Sequence, residues 1–530
     1  MKQAAYVRDM TKGSPIRLIV SFAVPLLIGN LFQQLYNVVD TMVVGYRLGD
    51  QAIAAIGATV SLYSLIIHFA CDLNNGYGIV VTQKFGAQEP RPMRQAVAGM
   101  MELNGAMAFG LTLLSLVFLR PLLRFMNTPA EIFGQAYAYI FAICAGIPVT
   151  IAYNMFAAIL RALGNSRSPL AFLILSSLLN VVLDILFVWV MDTGIAGAAI
   201  ATVLAQLVAA LCSGLYVWKN YREYLPSVGD LHVPGKLLVT LFTTGFAMAL
   251  TSCVVELGTV VFQRTANLLG EMLITAHSAS RRIVIMMLQP IISLSVANMT
   301  FVGQNYGAGR MERIRPAIRT VMVMELLWCT FAAAMVFLFG EWMIRFTTGT
   351  QSAEILQNAV LSLRIQFVLY PVLGVLFCFR NTMQAMGQKV VPVLSSCIEL
   401  AMKLLAAGWL IPAYGFLGVC ITEPVTWVLM VLFLAAAYMV LQRKWFAEAG
   451  TADTDGMKRS VAEMRWELLN QLIETKWSES TQEKLLQIIT NMPRSTPSCI
   501  QEAKAKEILR LINNCKTEEE ALSAVSHLME

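Results

Sequence analysis

Apolar residues fill most of this chain in blocks of about twenty, broken by short groups of Gly, Pro and charged residues. Blocks that long, without the alternation of a half-buried strand, suit helices that cross a hydrocarbon layer ~30 Å thick. Twelve such spans are predicted, at 16–39, 52–79, 95–119, 132–158, 169–190, 195–217, 237–262, 273–301, 318–340, 356–384, 391–411 and 416–441. The second, eighth and tenth are interrupted by polar residues and are the least clean. The expected fold is all-α and polytopic. Composition agrees: of 530 residues 57% are hydrophobic and only 14% charged, against ~25% charged in soluble proteins. The N-terminal stretch MKQAAYVRDMTKGSPIR enters the first span without a small-residue cleavage site, so no cleavable signal is expected.

The pattern also repeats. VTQKFGAQEPRPMRQAV (81–97) pairs without a gap with VGQNYGAGRMERIRPAI (302–318), ALGNSRSP (162–169) with AMGQKVVP (385–392), and GIAGAAI (194–200) with GFLGVCI (415–421). Two pseudo-symmetric six-helix lobes follow, residues 1–225 and 226–446, joined by the charged segment 219–236. Parallel repeats of this kind flank a central cavity around an axis along the membrane normal.

Charge supplies orientation. The N-terminal tail, the even-numbered connections (Arg161 and Arg380 counted among them) and the residues after span twelve hold 20 Lys/Arg, and the opposite side eight. The positive-inside bias places both termini in the cytoplasm of a multi-pass cell-membrane protein. Residues 1–446 have a net charge of +10, whereas 447–530 have −4. The change marks a cytoplasmic tail. Ser460/Glu463, Ser480/Glu483, Ser498/Gln501 and Thr517/Glu520 each have capping-box spacing, so four short helices are expected there. The tail has no phosphate loop, metal spacing or basic face. No nucleic-acid partner is expected, its role is open, and it is free to engage a cytoplasmic partner. The ten Cys lie mostly in apolar runs without CxxC spacing and read as buried apolar residues.

Charges inside the spans are the candidate chemistry. An ionised Asp at mid-bilayer costs ~3 kcal/mol on insertion scales, so each asks for a reason. Asp40 lies in FQQLYNVVDTMVVG with apolar residues on both sides, although an interfacial place near the outer boundary is the alternative. Asp184 shares a helix face with Asn180, four residues earlier. A carboxylate beside an amide carbonyl offers hard oxygen ligands to a small cation, or a proton site; a hydrogen-bonded pair gluing spans together is the structural alternative. Asn154 can join them from span four, and Glu256 is the intramembrane acid of the second lobe. Glu399 and Lys403, four apart, read as an internal ion pair, with Lys403 at the place Asn180 holds in the first lobe. Arg281 and Arg282 stand either at a span boundary or in the cavity wall. Phe32, Tyr36, Tyr63, Phe156, Met286, Met287, Tyr370 and Phe377 are candidates to line a cavity for flat cations, although such side chains are more often packing.

GNLFQQLYNVVDTMVVGYRLGDQAIAAIGA (29–58), VTQKFGA, LRALGNSRSP (160–169), NVVLDILFV (180–188) and the repeat itself resemble the multidrug and toxic compound extrusion (MATE) transporters over residues 10–445. The resemblance implies two six-helix lobes in a V, and export of organic, often cationic and aromatic compounds against a Na⁺ or H⁺ gradient, without a cofactor. It implies a first-lobe cation site at Asp40, Asn180 and Asp184, with Asn154 less securely matched, and an acidic position at Glu256 in the second. LYPVLGVLFCFRNTMQAMG (369–387) lacks the span-ten aspartate that some sodium-coupled members carry, which moves weight to the first lobe.

The expected function is therefore secondary antiport of small organic substrates across the bilayer, by a monomer with no enzymatic activity. A lipid-linked oligosaccharide flippase would need a strongly basic cavity, which only Arg281, Arg282 and Lys403 offer. A membrane sensor signalling through the tail is the alternative from another class.

Overall fold

The computed structural model describes residues 7–126, 128–442 and 445, with Thr517, Glu520 and Ser523 of the tail. The chain divides into two compact units, Met1–Tyr438 and Met439–Glu530. In the tail, Thr517 and Glu520 form the expected reciprocal cap, each backbone N–H donating to the other's side chain at 3.4 Å. The other three capping boxes lie outside the described residues.

Among the described residues every regular element is helical, because a bilayer leaves a spanning segment no other way to satisfy its backbone within itself. The helices of the first half are α1 Pro15–Leu48, α2 Asp50–Gly86, α3 Pro90–Phe125, α4 Ala130–Ala145, α5 Ile147–Ala162, α6 Arg167–Asp184 and α7 Ile195–Asn220. Those of the second are α8 Gly235–Ala266, α9 Glu271–Gly307, α10 Met311–Thr348, α11 Ala353–Val368, α12 Tyr370–Ala385, α13 Val390–Leu405, α14 Ile411–Tyr414 and α15 Phe416–Gln442. Among the described residues nine spans are long and apolar enough by themselves, and up to 12 if each bent pair is one span. The result is a twelve-span helical bundle, with the spans where the apolar windows predict them. Phe109, Leu211, Leu215, Leu338 and Leu432 point outward. In water such a surface would drive association; against lipid tails it is solvated.

One span in each half is broken at a matching place. Span four bends by 45° between α4 and α5, and span ten by 51° between α11 and α12. Pro148 and Pro371 open the second helix of each pair. Each lacks the N–H that would bond back across the junction. Gly146 also has to be Gly, since a Cβ there would fall 2.3 Å from Val203. Spans five and eleven carry π turns, Ile185–Val190 directly after Asp184 and Ala406–Leu410 shortly after Lys403.

The halves touch where the repeat is most explicit. A Cβ on Gly86 would lie 1.9 Å from the Gln304 carbonyl oxygen, and one on Gly307 1.9 Å from that of Gln83. Only two glycines let α2 and α9 cross so closely. From this crossing Gln83 Nε2 donates to Ala385 O at 2.7 Å and Gln304 Nε2 to Ala162 O at 2.9 Å. Each half thus caps the broken span of the other. The N-terminal segment lies on the same end of the bundle. Arg8 N–H bonds Leu163 O (3.1 Å), Met10 N–H bonds Gln304 Oε1 (2.8 Å), and Arg313 Nη2 bonds Gly13 O (2.7 Å).

Candidate cation site and cavity

Asp40 on α1 and Asp184 at the end of α6 come together as a pair of neighbouring carboxyls. Several local features hold the two helices at that distance. Gly29 leaves room for Leu170 and Leu173 of α6, 3.3 and 3.4 Å from where its Cβ would be. The π turn after Asp184 carries Trp189, whose indole N–H donates to Val43 O at 3.1 Å, and Arg47 bonds Asp192 at 3.2 Å. Asn180 lies one turn before Asp184; its amide donates to Asp184 Oδ2 at 3.3 Å and accepts from the Thr202 hydroxyl and N–H at 3.3 and 3.2 Å.

The pair sits at a boundary. Four residues before each acid, Tyr36 and Asn180 line a cavity of about 470 Å³. Four residues after each, Val44 and Val188 join an apolar cluster with Ala52, Ala55, Ile132, Ala136, Ile195 and Ala198. Tyr36, Tyr63 and Tyr139 stand around the carboxyls. Asp40 Oδ1 and Asp184 Oδ1 are buried with no hydrogen-bond partner. Two neighbouring carboxyls do not both ionise readily without a proton or cation between them, and the free oxygens leave acceptor capacity for it. The two carboxyls face each other with the Asn180 amide N–H on Asp184 and its carbonyl turned to Thr202, beside the cavity that Asn180 and Thr202 line.

Other residues singled out from the sequence go elsewhere. Asn154 is in the cavity wall, where it accepts from Cys71 Sγ (3.4 Å) and donates to Thr150 O (2.9 Å), and it does not bond the acid pair. Glu256 pairs across the halves with His68 Nδ1 at 3.1 Å. Of the cavity aromatics, Tyr36 and Tyr63 line the space. Phe156 does not: its partly buried ring packs against the core and against Gly214 of α7, where a Cβ would fall 3.0 Å from it. Tyr370 is fully buried, stacked on Phe367 with centroids 4.3 Å apart, since the bend beside it turns the ring inward. Met286 is exposed on α9 and is absent from the cavity lining.

Two arginines counted with the connections belong inside. Arg161, in the last turn of α5, lines the cavity and donates to Asn75 Oδ1 at 3.0 Å; Asn75 in turn donates to Asp72 Oδ1 at 3.1 Å, and Ser252 Oγ caps Asp72 Oδ2. Arg380 on α12 faces Glu399 at 3.9 Å. Sequence reading also passed over acids inside predicted spans. Glu423 lies 3.5 Å from Lys403. Glu325, in VMVMELLWC, is fully buried and accepts from Ser295 Oγ at 2.7 Å. Asn104 and Asn74 hold the same places in the first half, bonded at 2.9 Å. A scan for single acids in apolar windows finds both glutamates.

Twelve spans in two repeated halves, with a cavity lined by residues of the first half, fit a multi-pass membrane transporter. The MatE family profile matches the chain twice, over residues 25–186 and 247–409. The chain belongs to the MatE family of efflux transporters. It is 26% identical over 379 residues to the "Probable multidrug resistance protein YpnP" of Bacillus subtilis, covering 72% of this chain and 84% of that one. It is 24% identical over 444 residues to "Probable multidrug resistance protein YoeA" of the same organism, covering 82% and 96%. The solved structure titled "Crystal structure of MATE in the bent conformation" shares the fold with a TM-score of 0.76 at 21% identity, over 84% of this chain and 99% of that chain.

Proposed function

We propose that the protein is a secondary antiporter that exports organic, cationic and aromatic compounds in exchange for H⁺ or Na⁺ bound at Asp40 and Asp184. The observation that carries this is the carboxyl pair at the boundary between apolar cluster and cavity. A cation there neutralises the acids and draws α1 and α6 together; its loss leaves two facing charges that push them apart. A ligand moves such an equilibrium only by the difference between its affinities for the two states, typically 5–150-fold. Tyr36, Tyr63 and Tyr153 give the same cavity aromatic faces, and Gln33 and Gln34 give it polar edges. A flat organic cation is suited to both, and its positive charge competes with the coupling ion for the carboxyls. The relatives named as multidrug resistance proteins support drug export. The basic residues support a cytoplasmic place for both termini.

The test is efflux of a fluorescent organic cation from vesicles holding the full chain, driven in turn by a sodium and a pH gradient. Asp40→Asn or Asp184→Asn should cut gradient-driven efflux about tenfold or more while the protein still inserts. Unchanged efflux in both variants would refute the assignment, and the gradient that drives the wild type names the ion.

A further inference from the structure

We infer that Lys403 is a built-in cation that permanently fills, in the second half, the place where the first half keeps room for an exchangeable one. The inference rests on the antiport reading and deepens it by assigning ion exchange to one half alone.

The repeat sets the comparison. Asn180 and Lys403 hold the same place, as do Ser176 and Glu399, and Thr202 and Glu423. In the first half the amide of Asn180 meets the hydroxyl of Thr202, and the charge belongs to Asp40 and Asp184. In the second half the counterparts of those acids fall at Val261–Gln263 and Leu405–Ala407, where no acid stands. The charge has moved to the framework. Lys403 Nζ donates to Glu399 Oε1 at 2.8 Å and Thr259 Oγ1 at 2.9 Å and faces Glu423 Oε1 at 3.5 Å.

Three oxygens from three spans thus surround one buried ammonium, the kind of shell an alkali cation would otherwise take. The balance is complete. Arg380 faces Glu399 from α12 at 3.9 Å, so two cations meet two carboxylates. Glu256 on α8, paired with His68 of α2, and Arg281 on α9 are the next charges in range. The first-half pair has two carboxyls and, among the described residues, no ion pair to either. It lacks a cation and the second half does not. A tethered ammonium cannot dissociate into the cavity, so it cannot be exchanged in a transport cycle.

The experiment measures Tm of the full chain in nanodiscs as NaCl replaces choline chloride at constant ionic strength. The parent Asp40→Asn/Asp184→Asn should be blind to sodium. Adding Lys403→Gln, which strips the ammonium from Glu399 and Glu423, should create a sodium response of about 2 °C at tenfold over the dissociation constant, or an added pH dependence if those acids take protons instead. A sodium response in the parent would overturn the inference. So would a folded triple variant that matches the parent in both sodium and pH response. If the triple variant does not fold, Glu423→Gln added to it restores neutrality: a folded, sodium-blind protein then supports charge balance, and a sodium response overturns it. Because these readings need no transport, failure of the antiport reading in the vesicle assay is distinguishable from failure here.

Discussion

Gln83 and Gln304 hold the same place in the two halves and make the same bond, each to the end of the other half's broken span. Asn180 and Lys403 also share a place, yet one is a neutral amide beside a carboxyl pair and the other an ammonium in a shell of acids. The difference follows from where the residues lie. A contact across a pseudo-twofold axis is self-complementary, so a change on one side must fit its own counterpart. A site inside one half has no such partner and is free to diverge. The fold is therefore symmetric at the α2–α9 crossing and asymmetric inside each half, at Asn180 and Lys403.

The largest expected effect breaks the symmetric part. Gly86→Leu or Gly307→Leu puts a side chain into the opposing backbone, 1.9 Å from a carbonyl oxygen at its first atom. The helices must separate, at about 3 kcal/mol or more. Folded yield by size-exclusion chromatography should collapse for both. The milder Gly→Ala pair should lower Tm by equal amounts, and unequal losses would show that the crossing is not symmetric in energy.

A smaller effect should expose the one asymmetry at this contact. Gln83→Leu loses the bond to Ala385, about 1 kcal/mol. Gln304→Leu loses both Ala162 and the Met10 amide, and so releases the N-terminal segment. Trypsin cleavage at Arg8 and Lys12 should speed up about fivefold in Gln304→Leu, as 1 kcal/mol of opening implies, and much less in Gln83→Leu. Equal rates would mean that the segment is held by other contacts.

The smallest effect concerns the segment that joins the halves. Arg94 of α3 reaches Asp230 at 2.7 Å, and Ser227 completes a capping box with it. Ser227 and Arg94 together hold the Asp230 carboxyl down at about 2, against ~3.9 when unfolded. A depressed folded value stabilises above the unfolded one, so this clamp is whole above about pH 4 and lost as pH falls through about 2. Asp230→Asn should lower Tm by about 1 °C at pH 6, with the gap closing as pH falls through about 2. A gap that persists there would mean that packing, not charge, holds the linker.

Much of this was legible before any coordinates. Asp40 and Asp184 stood out because an acid inside an apolar run is costly, and the repeat put their spans in one half. The bends at Pro148 and Pro371 were not read, because the apolar windows 132–158 and 356–384 run through them as single spans. Phe156 and Tyr370 were not legible: an aromatic in a span can face cavity, core or lipid, and periodicity does not say which. Arg161 and Arg380 misled because a basic residue near a span end reads as a connection until an acid or amide is seen beside it.

By itself the sequence determined twelve spans, two repeated halves and the acids that have no business in lipid, because hydrocarbon thickness and charge cost act locally along the chain. Only the tertiary structure decided which acids meet, that Asp40 finds Asp184 while Glu256 finds His68, and that Lys403 is enclosed by Glu399 and Glu423. Those outcomes depend on distances between helices far apart in sequence. These are set by glycine crossings and bends that no single span contains.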